Sequence, residues 1–147
     1  MTQFVMDNSV LAAWALGEPS AYAARAVDKL RTAGAIVPAI WPVEFANAIL
    51  TATRKKRITQ AQAERILALV AELDVHVALV DVPRVFGHVT ALAARHGLTV
   101  YDATYLDLAM THGAGLATLD AKLARAAADA GVEDAGGRES APAAAKR

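Results

Sequence analysis

The chain has 147 residues, no cysteine, and 15 basic against 15 acidic side chains, a size that fits one domain with a buried core. The missing thiols exclude disulfides and thiolate zinc sites and lead us to expect a reducing cytoplasm. Zero net charge excludes a domain drawn onto nucleic acid by its whole field, so any RNA contact must be local. No apolar run reaches the roughly 18 residues of a membrane span, and Met1 to Asp7 lacks the basic head and long apolar segment of a secretory signal.

In chain order, Phe4 to Met6 reads as a short buried strand ending at Asp7, and Ser9 is a candidate N-cap for Val10 to Leu16, which Gly17 and Pro19 stop. Ser20 caps a helix over about 21–31, with Ala24, Val27 and Leu30 on one face, and Gly34 closes it. Ala35 to Val37 is a second strand ending at Pro38. Pro42 falls in the first turn of the next helix, where its missing N–H costs nothing; this helix carries Glu44 and runs to Arg54-Lys55-Lys56-Arg57. Thr59 opens an amphipathic helix through Leu73 that pairs with the preceding one as a hairpin. Val75 to Val80 is the most strand-like run, and a helix from Pro83 to Arg95 ends at Gly97. A helix from Asp102 to about His112, a strand over Leu116 to Leu119, a helix from Ala121 to Ala130 and a last short strand near Val132 complete the pattern. Such regular alternation predicts a parallel sheet flanked by helices in an α/β sandwich. From about Ala135 the tail has too few large apolar groups to pack, so we expect it to be disordered.

Asp7, Glu44, Asp102 and Asp120 each stand where the pattern starts or ends an element. If the strands are parallel neighbours, three of them collect at the carboxyl edge of the sheet, where α/β proteins place functional groups. Acids gathered without interleaved Lys or Arg call for a hard divalent cation, Mg²⁺ or Mn²⁺. Each acid also has a structural explanation: Asp7, Asp102 and Asp120 can cap helices, and Glu44 can complement a helix dipole. Glu44 fits that explanation least well, because Trp41-Pro42-Val43-Glu44-Phe45-Ala46 is an apolar setting in which a charge should be paired or hold a metal. Ser9 and Thr118 stand two residues from Asp7 and Asp120 and can bind a metal water or phosphate oxygen, or serve as strand-end hydroxyls. Asn47, one turn after Glu44, can orient its carboxylate or be a helix-edge polar residue. Asp107, about 140° around a helix from Asp102, cannot share its pocket and is expected at the surface or behind the site. The four histidines show no metal-binding spacing. The run Arg54 to Arg57 is either a solvated helix end or a phosphate contact.

Four segments, namely Asp7 with Ser9, Pro42-Val43-Glu44-Phe45-Ala46-Asn47-Ala48-Ile49-Leu50, Tyr101-Asp102-Ala103-Thr104-Tyr105-Leu106 and Leu116-Ala117-Thr118-Leu119-Asp120-Ala121-Lys122-Leu123, together resemble PIN-domain proteins of the VapC toxin type over about residues 3–133. The resemblance implies a PIN-like α/β/α sandwich with a protruding helical hairpin, spanning residues 1–134, with the tail 135–147 outside the family pattern. It further implies a Mg²⁺- or Mn²⁺-dependent endoribonuclease, the toxin of a type II toxin–antitoxin system, held by a VapB-like antitoxin and homodimeric. By position Asp7, Glu44, Asp102 and Asp120 match the family's acidic quartet, with Asp7 and Asp102 as core metal ligands. Asn8 stands where a small residue is frequent and Asp107 where Ala is common; neither removes a ligand. Metal-assisted hydrolysis predicts 5′-phosphate and 3′-hydroxyl products. The alternatives are a non-catalytic RNA-binding or interaction module of the same fold and a housekeeping RNA-processing nuclease. A haloacid-type phosphatase is disfavoured, because its second aspartate is here Ser9.

Overall fold

The computed structural model describes residues 3–137. Four parallel strands, β1 (Phe4–Met6), β2 (Ala35–Pro38), β3 (Val75–Ala78) and β4 (Leu116–Ala117), lie in the order β3-β2-β1-β4. Val5 stands opposite Ile36 on one side and Leu116 on the other. All three residues of β1 are fully buried, as a central parallel strand covered on both faces must be, which is why it reads as an unbroken apolar run.

Helices α1 (Asn8–Ala15), α2 (Ala21–Ala33), α3 (Trp41–Arg54) and α4 (Gln60–Ala71) come from the first half of the chain. From the second half come α5 (Val82–Arg84), a π-helical turn (Val85–Val89), α6 (Thr90–His96), α7 (Val100–His112) and α8 (Ala121–Asp129). The expected punctuation holds for α2, where the Ser20 side chain accepts from the Ala23 N–H, and for α4, where Thr59 and Gln62 cap each other reciprocally. Gly34, Gly97 and Gly113 close their helices at positive φ. A methyl group on Gly34 would also come within 2.8 Å of the Asp74 carboxylate.

Several expectations change. The first helix starts at Asn8, with Asp7 rather than Ser9 at the N-cap, because the Ser9 hydroxyl turns back to Asp7. The helix expected to open at Asp102 opens at Val100, with Thr99 as its cap and Asp102 inside the first turn. The continuous helix expected from Pro83 to Arg95 contains the π turn, across which the Thr90 hydroxyl reaches back to the Val85 carbonyl. The run from Val75 forms β3 but stops at Ala78, and Leu79 is 90% exposed beside this sheet edge.

One core cluster joins β1, β2 and β4 to residues of α1, α2, α3, α7 and α8. The α3–α4 hairpin packs Trp41, Phe45, Ile49, Ala63 and Val70 into it. Ile66 and Leu73 are partly buried against the same core, while Val43, Leu50, Leu67 and Leu69 are left exposed. At the far side of β4, the Leu116 N–H donates to the Glu133 carbonyl and its own carbonyl accepts from the Ala135 N–H, so the chain after α8 lies along that edge. The first residues of the expected tail are therefore packed. Ala135 is buried, and Gly136 lies so close on the Tyr22 ring that any β-carbon there would collide with it. Residues 138–147 of that tail lie outside the described residues. Among the described residues, no helix is long and apolar enough to cross a membrane.

Candidate active site at the carboxyl edge of the sheet

Asp7 leaves β1 in extended conformation, and its N–H donates to the Ala117 carbonyl, so the last rung between β1 and β4 fixes its backbone. The residue is 6% exposed. Ser9 donates to Oδ2 at 2.6 Å and Thr118 to the same oxygen at 2.9 Å. Ser9 Oγ in turn accepts from the Leu119 N–H, and Thr118 Oγ1 from the Asp120 N–H. The two hydroxyls thus hold Asp7 and lace the ends of β1 and β4 together. Burial pushes the Asp7 carboxyl above its ordinary value; the hydrogen bonds from Ser9, Thr118 and the local backbone oppose the shift.

The other three acids arrive from helices. Asp102 is in the first turn of α7, and Thr99 caps that helix, so its carboxylate is not spent on capping. Burial raises its pKa, and the charges of Asp7 and Asp120 raise it further. Glu44, in the first turn of α3, accepts a 2.7 Å bond from the Tyr105 hydroxyl. Its pKa is raised by burial, against the Tyr105 bond and together with the charges of Asp7 and Asp102. Asp120 is exposed and does cap α8, with Oδ1 accepting from the Leu123 N–H. The side-chain capping explanation thus holds for Asp120 alone, through one of its two oxygens.

Among the described residues, the ion pairs use other acids, Glu18, Asp28, Asp74 and Asp107, so no side-chain cation neutralises the quartet. Nor do any three acidic or histidine side chains among the described residues stand close enough to form a ready-made cage. The donor set, carboxylates among which Glu44 and Asp102 are raised by their neighbours' charges, with no ion-paired Lys or Arg among the described residues, fits a hard divalent cation.

The remaining candidates fall elsewhere. Asn47 is exposed on α3, and the side chain that holds Glu44 is Tyr105 rather than Asn47. Arg54 to Arg57 lie ten or more residues beyond Glu44 along α3 and the following turn, about 15 Å away by helical rise. Arg57 is paired there with Glu18. Asp107 is not at the surface. It is 4% exposed and takes a two-pronged bond from Arg84, with Nε to Oδ2 at 2.9 Å and Nη2 to Oδ1 at 2.7 Å, while His88 Nε2 stands 3.1 Å from Oδ1.

Tyr105 is a site residue that carries no mark in the sequence beyond its place three positions after Asp102, on the same side of α7. Fully buried, it is pushed far above the usual phenol range by burial and by Glu44, so its hydroxyl remains a donor.

A family model described as PIN domain matches residues 4–129 of this chain. Ribonuclease VapC3 of Pyrobaculum aerophilum is 32% identical over 123 residues, covering 83% of this chain and 92% of that protein. The crystal structure of PAE2754 from Pyrobaculum aerophilum superposes with a TM-score of 0.64 at 26% identity, covering 85% of this chain and 84% of that one.

Proposed function

The chain belongs to the PIN-domain family and is of the VapC ribonuclease type, and from that premise we propose that it is a Mg²⁺- or Mn²⁺-dependent endoribonuclease that hydrolyses RNA to 5′-phosphate and 3′-hydroxyl ends. In this reading it is the toxin of a type II pair, acts in the cytoplasm, and is held by a VapB-like antitoxin. Residues 1–134 form the catalytic unit. Asp7 carries the reading. It is a buried carboxylate with no cationic partner among the described residues, held through Oδ2 by Ser9 and Thr118, and it acts electrostatically on both Glu44 and Asp102.

Asp7 and Asp102 are the residues that would hold the cation, with Glu44 and Asp120 completing the set. A bound Mg²⁺ or Mn²⁺ supplies Lewis acidity, lowers the pKa of a water for in-line attack and shields the phosphodiester charge. Ser9 and Thr118 keep Oδ2 of Asp7 directed and leave Oδ1 for a ligand. Asp120, with Oδ1 committed to its helix, offers Oδ2. Arg54 to Arg57 are far enough from Glu44 that RNA contact there would be to flanking phosphates.

We also propose a homodimer, supported by the apolar stripe that Val43 and Leu50, seven residues apart on α3, leave exposed. The deciding experiment is cleavage of total cellular RNA by purified protein with Mg²⁺ or Mn²⁺ against EDTA, beside Asp7→Asn and Asp102→Asn, with end-group analysis. We expect metal-dependent cuts bearing 5′-phosphates, lost in both variants. Products ending in 2′,3′-cyclic phosphate would overturn the hydrolytic mechanism. A folded wild type that binds no divalent ion would leave the non-catalytic RNA-binding or interaction module as the better description.

A further inference from the structure

Within the hydrolytic reading just given, we infer that Tyr105 is the positioning residue that fixes the Glu44 carboxylate beside Asp7 and Asp102. The ring is fully buried in the main core, so the hydroxyl has a defined position. It donates to Glu44 Oε1 at 2.7 Å, from a residue three positions after Asp102 on α7. One phenol therefore ties the first turn of α3 to the second turn of α7, the helices that bear Glu44 and Asp102.

Without this tie Glu44 would be a half-buried glutamate on a helix whose neighbouring positions, Val43, Ala46 and Asn47, are exposed, and its side chain would be free to turn to solvent. The bond occupies Oε1 and leaves Oε2 for another partner. It is also neutral: an Arg or Lys at this point would hold the carboxylate and cancel its charge, whereas a phenol holds it and leaves the charge for a cation. Asn47, one turn away on the same helix, does not supply this restraint.

The test is titration of purified protein with Mn²⁺ alone, followed by electron paramagnetic resonance, for wild type, Tyr105→Phe, Glu44→Asp, Glu44→Gln and the Tyr105→Phe/Glu44→Gln double variant. Tyr105→Phe should weaken Mn²⁺ binding about tenfold, as loss of a ligand's hydrogen-bond partner does. It should lower kcat on RNA with KM unchanged, and add nothing in the Glu44→Gln background. Glu44→Asp, which keeps the charge but withdraws it from the hydroxyl, should show about the same tenfold loss, and it stands as the test if Tyr105→Phe does not fold. Wild-type Mn²⁺ affinity in either folded variant, or equal effects of Tyr105→Phe with and without Glu44, would overturn the inference and leave the nuclease reading intact. A wild type that neither binds Mn²⁺ nor cleaves RNA would bring down both.

Discussion

Asp7 is placed by the fold where its charge is costly. Burial raises its pKa, and Glu44 and Asp102 are raised as well. Between the ordinary carboxyl range near 4 and the raised folded values, the native state therefore retains protons that the unfolded chain has released. The stability these groups contribute is present below their unfolded values and is lost as pH rises through the folded ones. In EDTA, Asp7→Asn should accordingly melt above wild type, by a margin that widens from about pH 4 towards neutrality, and a saturating divalent cation should erase or reverse that margin. A margin that is flat with pH in thermal melts would sink this account. The acids are legible in the sequence because each interrupts an apolar run or opens a helix. Their supports are not: Tyr105 lies 61 positions from Glu44, and Arg84 lies 23 from Asp107. Only the folded chain brings such partners together.

Elements whose ends are written in local chemistry are legible to within a few residues. The α4 start is the clearest, since Thr59 and Gln62 satisfy two orphan N–H groups reciprocally. Thr59→Ala should cost about 1 kcal/mol in urea denaturation, without altering RNA cleavage, because this cap lies at the end of the hairpin away from Glu44. An unchanged urea midpoint would show that the cap is replaced by solvent. The same spacing, Thr99 to Asp102, marks the true start of α7, three residues ahead of the acid that draws the eye. The π turn over Val85–Val89 has no such local mark. Arg84 just before it and His88 within it both meet Asp107 of α7, so tertiary pairing, across 23 positions for Arg84, accompanies a local irregularity that helical periodicity cannot encode.

For the whole molecule, parallel order and the position of the acids follow from the alternation of strands and helices, whereas the outer surfaces do not. Ile66 and Leu73 pack against the core, so charges there would test folding and not assembly. The exposed stripe of α3 is the place to test assembly. Light scattering of wild type should give a dimer, and Val43→Asp/Leu50→Asp a folded monomer. A wild type already monomeric at micromolar concentration would refute the dimer.

The run from Glu133 to Ala135 along β4 bears on assembly in another way. With that side of the sheet covered, β3 is the remaining bare edge among the described residues. Any strand-to-strand association between copies through the described sheet must then be isologous, one β3 against another about a two-fold axis, and it closes at two subunits. A head-to-tail arrangement, the geometry that grows without limit into fibres, has no second edge there to use.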